Sequence, residues 1–264
     1  MKVVLFCGGL GLRMHPETET LPKPMVPVGE KPLLWHLMKY YSYFGHKDFI
    51  LCLGFKGEEI KKFFLNYDEC LSNDFVLSQG GKRQLFRSDI DDWRITFVET
   101  GLNAEIGQRL KAIRKYVEND EMFLANYSDG LSDLSLPKII DFSIKKGKIG
   151  CLLSVKPFYA FHVVSTSPDG YVRDIRQSAK TGMRINGGYF VFRNQIFDYI
   201  KEGEDLVNEP FERLISQREL VAYEYDGFWA SLDTYKDKQR LDELVLKNNA
   251  YWQIWKNGSQ TSNR

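Results

Sequence analysis

The stretch "LFCGGLGLRMHPETETLPKPMVPVGEKPLLWHL", Leu5 to Leu37, decides how the rest of the chain is read. A short apolar run enters it and an apolar run with helical spacing leaves it. Strand-to-helix connections in α/β proteins usually take about 2–6 residues, and this one runs to roughly twenty. Gly8, Gly9 and Gly11 allow backbone N–H groups to approach an anion without interference from Cβ atoms. The spacing is neither G-x-G-x-x-G nor a loop ending in Gly-Lys-Ser/Thr, so neither the dinucleotide fingerprint nor the Walker loop is present. Arg13 adds a planar guanidinium suited to phosphate oxygens. Lys23 stands between Pro22 and Pro24, whose rings fix φ on either side and stiffen the loop around a positioned ammonium. These residues together point to an anion, and specifically to a phosphate.

Outward from that loop the periodicities alternate. Lys2–Cys7 reads as a buried strand, Pro32–Phe44 as a helix ending at Gly45, Asp48–Leu53 as a strand and Glu58–Tyr67 as a helix. Arg94–Glu99 and Glu121–Asn126 continue as strands, Ile106–Val117 and Pro137–Lys146 as helices. Such alternation predicts an α/β fold with a doubly wound sheet and right-handed crossovers. After Gly150 the pattern becomes richer in strands: Gly150–Lys156, Val163–Thr166, Val172–Arg176, Ile185–Phe192 and Val221–Asp226. Helices are expected at Gln195–Lys201, Glu209–Gln217 and about Thr234–Asn249. The reading is one domain over residues 1–256, a nucleotide half to about 135 and an acceptor half after it, with a polar, disordered tail at 257–264.

Composition excludes several classes. The formal net charge is +1, so bulk electrostatics gives no pull toward nucleic acid or an anionic membrane. Cys7, Cys52, Cys70 and Cys151 are scattered, without metal-site spacing, and read as small hydrophobes in a reducing compartment. The apolar run Val3–Cys7 stops at Gly8, too short for a membrane span or a signal segment, so a cytoplasmic protein is expected.

The segments "GGLGLR…LPKPMVPVGEKPLLWHLMKYY", "ITFVETG", "RLKAIRKYV", "FLANYSDGLSDL", "INGGYFV" and "GFWASLDTYKDK" occur in an order that resembles the sugar-nucleotide pyrophosphorylases, and most of all the glucose-1-phosphate cytidylyltransferases. The resemblance implies a Rossmann-like nucleotidyltransferase fold, a mixed central sheet flanked by helices with a β-rich acceptor-binding region. It also implies Mg2+, CTP, a small phosphorylated acceptor and a homo-oligomer. Asp129 follows the apolar strand "EMFLAN", at the carboxyl end of a sheet strand where α/β proteins bind ligands. Asp233 lies far along the chain in "FWASLDT". On residues alone Asp233 reads equally as a turn or cap, while the strand-end position of Asp129 favours a site; the resemblance implies that they are the two metal carboxylates. It further implies nucleotide contacts from Leu5, Cys7, Gly8, Gly9, Gly11, Arg13, Lys23, Arg109 and Ser128, with Arg13 and Lys23 as the catalytic cations. Asp133 reads as a cap for the segment after it.

Departures from the family pattern cluster in the acceptor half. His162 stands where the family has glycine, and Gln177, Ser178 and Ala179 stand where it has Glu-Lys-Pro, whose charged pair grips the sugar phosphate. The acceptor contacts expected here are Gln177, Ser178, Lys180, Asn186, Gly187 and His162. Three readings follow: a cytidylyltransferase for a sugar 1-phosphate, one for a non-sugar phosphate such as an amino-acid phosphate, or a non-catalytic nucleotide-binding relative.

Overall fold

A computed structural model describes residues 1–9, 21–157, 162–178 and 181–257. Gly11, Arg13, Lys180 and the chain beyond Asn257 lie outside the described residues. The main sheet has seven strands: β1 (Val3–Phe6), β2 (Asp48–Leu53), β3 (Arg94–Glu99), β4 (Met122–Asn126), β5 (Gly150–Val155), β6 (Ile185–Arg193) and β7 (Leu220–Tyr225). They are arranged β7-β5-β6-β4-β1-β2-β3. β4, β1, β2 and β3 are parallel to one another. β6 runs antiparallel to β4 and β5, while β7 is again parallel to β5. The sheet is therefore mixed, as expected.

The helices are α1 (Leu33–Tyr43), α2 (Gly57–Leu65), α3 (Ile106–Ala112), α4 (Arg114–Val117), α5 (Leu136–Lys146), α6 (Glu209–Ser216), α7 (Tyr235–Leu246) and α8 (Ile254–Asn257). Alternate residues of β1 explain the layering. Val3 and Leu5 pack with Leu37, Met38 and Ile139 on one face, and Val4 and Phe6 with Leu110, Ile113 and Val117 on the other. Strands buried on both faces must be apolar throughout, which is why "VVLF" shows no alternation. Each such Leu or Ile stabilises the fold by about 1.5–3 kcal/mol.

Three expectations change in detail. The helix expected over Ile106–Val117 is interrupted at Ile113, where Ile113 N bonds Leu110 O three residues back and the turn tightens. Leu110, Ile113 and Val117 are all buried in the cluster on that face of the sheet. The segment Gln195–Lys201 is a 3-10 helix at Asn194–Tyr199. The helix after Thr234 stops at Leu246 and the chain turns back, so that Trp252 is wholly buried. Within "YWQIWK", Trp252 and Gln253 are buried while Tyr251 and Lys256 are exposed. Two-stranded ribbons at Phe75–Leu77 with Arg83–Leu85, and at Gly130–Ser132 with Trp229–Ser231, escaped the sequence reading. Three-residue strands are too short for a periodic signal.

A third apolar cluster matters most for the site. Val26, Val28, Leu33, Leu131, Ala230, Leu232, Leu241 and Trp252 pack together away from the main sheet faces. They come from the Pro-Lys-Pro segment and the first residue of α1, from the segment after β4, from the segment after β7, and from α7 and the turn that follows it. Four parts of the chain are pinned to one another there.

Candidate active site

Lys23 opens a short 3-10 turn, Lys23–Met25, closed by Met25 N to Pro22 O and Val26 N to Lys23 O. Met25 is buried below it, so the backbone is held while the lysine side chain points outward into the site. Lys23 Nζ donates to Asp129 Oδ2 at 2.9 Å and to Asp233 Oδ1 at 2.7 Å. The three residues that the resemblance singled out are therefore in direct contact, although 106 and 210 positions separate the lysine from its two partners. Burial alone would lower the Lys23 pKa, but the charges of Asp129 and Asp233 outweigh it and hold the ammonium above its ordinary value.

Each carboxylate is placed by local structure. Ser128 adopts the left-handed region at φ 66°, a conformation that costs a non-glycine residue about 1–2 kcal/mol. The turn is held by Asn126 Oδ1, which accepts from Ser128 N at 2.8 Å, while Asn126 Nδ2 donates to Tyr41 Oη. The chain then enters Gly130–Ser132, which pairs with Trp229–Ser231, and Leu232 N donates to Asp129 O at 2.8 Å. That ladder brings Asp233 beside Asp129. Ser231 Oγ donates to Asp233 Oδ2 at 2.6 Å. The next residue, Thr234, is the N-cap of α7 in a capping box with Asp237, whose Oδ2 also accepts from Asp233 N. Asp233 therefore sits one residue before a cap and is not itself the cap.

The glycine-rich entry is held by Arg109. Its Nη1 donates to Leu53 O, Thr100 Oγ1 and Gly101 O, and its Nη2 to Gly8 O and Leu102 O. A guanidinium with five acceptors, 3% exposed, has no face left for a phosphate. In this structure Arg109 ties together the carboxyl ends of β1, β2 and β3. It also explains Gly8, where an added Cβ would lie 2.0 Å from Arg109 Nη1, a group that its acceptors hold in place.

The other expected nucleotide residues separate. Gly9 is exposed at the mouth of the loop. Leu5 and Cys7 are fully buried, so their side chains face the core and only backbone is left toward a ligand. Cys7 Sγ lies 3.4 Å from Ser128 Oγ, and burial pushes the thiol pKa up to about 12 despite the nearby hydroxyl and Arg109. Cys7 is thus a protonated packing residue and no nucleophile.

Among the described residues, those expected at the acceptor lie on two different elements, the bulge of β6 and a separate ribbon. Asn186 spends its amide within its own turn: Nδ2 donates to Tyr127 Oη and Oδ1 accepts from Gly188 N. Gly187 O accepts from Trp229 Nε1 at 2.9 Å. The pairing of β5 with β6 shifts register at this point, and Gly188 has φ +73°, so "INGG" is a bulge that only glycine closes comfortably. These findings correct the expectation that Asn186 and Gly187 present free groups. His162 and Gln177 are exposed cross-strand partners at the base of a ribbon, His162–Thr166 with Val172–Gln177. Ser178 is buried, and its carbonyl accepts from Thr181. Asp133 also differs from expectation: it accepts from Tyr225 Oη and Phe228 N rather than capping α5.

The sequence carried a signal for one missed feature. Thr234 and Asp237 are spaced as a capping box. Nothing comparable marks the clamp formed by Arg109, because four of its five acceptors are backbone carbonyls.

A mixed α/β sheet with a lysine and two aspartates at the carboxyl end of its parallel strands defines a class, and comparison with known proteins agrees. Residues 2–252 match the family model described as nucleotidyl transferase, and the chain belongs to that family. It is 40% identical, over 97% of its length and all of the relative's, to a glucose-1-phosphate cytidylyltransferase of Salmonella typhi. It is 35% identical, over the same shares, to a probable enzyme of that name from Bacillus subtilis (strain 168). Among solved structures, a UDP-glucose pyrophosphorylase complexed with UDP-glucose superposes with a TM-score of 0.69 at 14% identity, covering 94% of this chain and 98% of the other. HddC from Yersinia pseudotuberculosis complexed with GMP-PN gives 0.65 at 20%, covering 92% and 99%. The structural likenesses establish the fold. Among the described residues no helix is long and apolar enough to cross a membrane.

Proposed function

We propose that the protein is a Mg2+-dependent cytidylyltransferase that transfers CMP from CTP to a small phosphorylated acceptor, glucose 1-phosphate first among them. The observation that carries the reading is the contact of Lys23 with Asp129 and Asp233, at the strand ends of a chain similar over its whole length to glucose-1-phosphate cytidylyltransferase. The two carboxylates suit Mg2+, which takes few protein ligands and completes its shell with water and phosphate oxygens. A positive charge already sits 2.9 and 2.7 Å from their oxygens, in the form of the lysine ammonium, so the space between them accepts a cation. A bound Mg2+ would supply charge neutralisation at the α-phosphate.

In the reaction so read, an oxygen of the acceptor phosphate attacks the α-phosphorus of CTP in line. The bond from that phosphorus to the bridging oxygen breaks, and pyrophosphate leaves. The nucleophile is already ionised, so no general base is required and the protein contributes position and charge. Asp129 and Asp233 would hold the cation, Lys23 would neutralise phosphate oxygens, and the clamp by Arg109 keeps the glycine loop at the strand ends. Arg13 would add a second cation.

A second reading keeps the nucleotide chemistry and changes the acceptor to a non-sugar phosphate. The engaged amide of Asn186 favours it, together with the loss of a charged pair at Gln177 and Ser178. Pyrophosphate release with CTP and Mg2+, measured against sugar 1-phosphates, polyol phosphates and amino-acid phosphates, tests both. Release with glucose 1-phosphate supports the first reading, and release only with a non-sugar phosphate supports the second. No release with any acceptor removes both.

A further inference from the structure

The oxygens that bracket Lys23 Nζ belong to the two carboxylates assigned above to a divalent cation. The ammonium and the metal therefore claim one electrostatic position. Lys23 leaves the pair with one net negative charge where two bare carboxylates would carry two. A dication arriving beside the seated ammonium meets repulsion from it at close range. We propose that Lys23 is a resident counter-cation, holding the two aspartates paired and neutralised until nucleotide phosphates draw it away, so that free metal binds poorly and metal and nucleotide enter together. The proposal rests on the assignment of Asp129 and Asp233 as metal carboxylates.

The geometry supports an exchange rather than a fixed bridge. The backbone of Lys23 is fixed by its turn, so the movement is confined to the side chain. An ammonium on a four-carbon stem can pivot to new acceptors without losing its hydrogen-bonding capacity. Asp233 stays oriented when the lysine departs, because Ser231 Oγ holds its other oxygen. Asp129 is placed from its own backbone by the turn at Ser128. Both aspartates keep more than a quarter of their side-chain surface open, 30% and 27%, so an incoming ligand can reach them. A triphosphate carries several oxygens and more charge than the two aspartates, which makes it the stronger claimant for the ammonium.

Mn2+ binding, followed by electron paramagnetic resonance without turnover, tests the exchange. Lys23→Met should bind Mn2+ alone at least tenfold more tightly than the native protein, about 1.4 kcal/mol. Lys23→Arg, which keeps the charge, should bind it as weakly as the native protein. A non-hydrolysable CTP analogue should tighten Mn2+ binding strongly in the native protein and much less in Lys23→Met. Equal Mn2+ affinity in the native protein and Lys23→Met overturns the proposal while leaving the metal assignment in place. The assignment itself falls if Asp129→Asn leaves Mn2+ binding unchanged in the presence of the analogue. The native protein gives an independent readout through the nitrogen resonance of the Lys23 ammonium. Mg2+ alone at millimolar concentration should leave that resonance in place, and Mg2+ with the analogue should shift it. A shift with Mg2+ alone overturns the proposal.

Discussion

The lysine–aspartate centre and the ribbon of His162–Thr166 with Val172–Gln177 are built to different standards. Around Lys23, Asp129 and Asp233 every backbone segment rests on buried side chains, and the third apolar cluster locks the three segments together. The ribbon of His162–Thr166 and Val172–Gln177 has no fully buried residue, and its strands pair with each other outside the main sheet. One region resists change because moving any part disturbs the others. The other can be altered at little cost in stability, and it is the one where the departures from the family pattern gather. The contrast teaches that this chain locks the lysine–aspartate centre into its packing while leaving the ribbon open to change.

The largest expected effect breaks the first region at its chemistry. Asp129→Asn should lower turnover by about a thousandfold, the scale of removing one charge-stabilising group from an active site. Nucleotide binding followed by fluorescence should change far less. A variant that keeps full turnover would remove Asp129 from the centre. Next comes the packing beneath it. Leu232 is fully buried between the two aspartates' supporting strands, and Leu232→Ala should cost about 3 kcal/mol in urea unfolding. A loss below about 1 kcal/mol would mean that the cluster does not carry the site.

The same region should also lose stability in acid. His36 is buried against Trp35, Trp252 and Trp255, and its Nε2–H donates to Val28 O. Burial, aided by Lys256 and Lys31, pushes its pKa down to about 4, against a bond to Val28 that favours the charged form. A group whose pKa is lower in the folded state binds its proton more readily when unfolded. Stability is therefore whole above the ordinary histidine value near 6.5 and falls as pH drops from there toward 4. The loss by pH 4 should be about 3 kcal/mol, and His36→Gln should flatten that part of the pH profile.

The smallest effects should fall on the ribbon. His162→Ala and Gln177→Ala should each change stability by less than about 0.5 kcal/mol. If either residue meets the acceptor, the KM for the acceptor should rise while the KM for CTP stays put. A stability loss comparable to that of Leu232→Ala would erase the contrast between the regions.

The four parallel strands and their helices were legible because strands buried on both faces and amphipathic helices leave strong periodic signals. Lys23, Asp129 and Asp233 were legible as residues, from the braced loop, the strand end and the resemblance. Their mutual contact was not, because it depends on a ladder between two three-residue strands about a hundred positions apart. The clamp at Arg109 was not legible for a related reason. A guanidinium that binds backbone carbonyls looks, in sequence, like one waiting for phosphate. Asn186 was misread because an amide folded into its own bulge leaves no trace in residue order.

The ladder joining Gly130–Ser132 to Trp229–Ser231 has a consequence for how the protein is made. A chain leaving the ribosome at about 5–20 residues per second exposes Asp129 roughly 5–20 s before Asp233. Through that interval Lys23 has one carboxylate partner and the supporting cluster lacks Ala230, Leu232, Leu241 and Trp252. The parallel part of the sheet can form early, but the centre closes only when residues 229–233 arrive. A partly folded nascent chain of this protein therefore lacks a complete centre until those residues emerge.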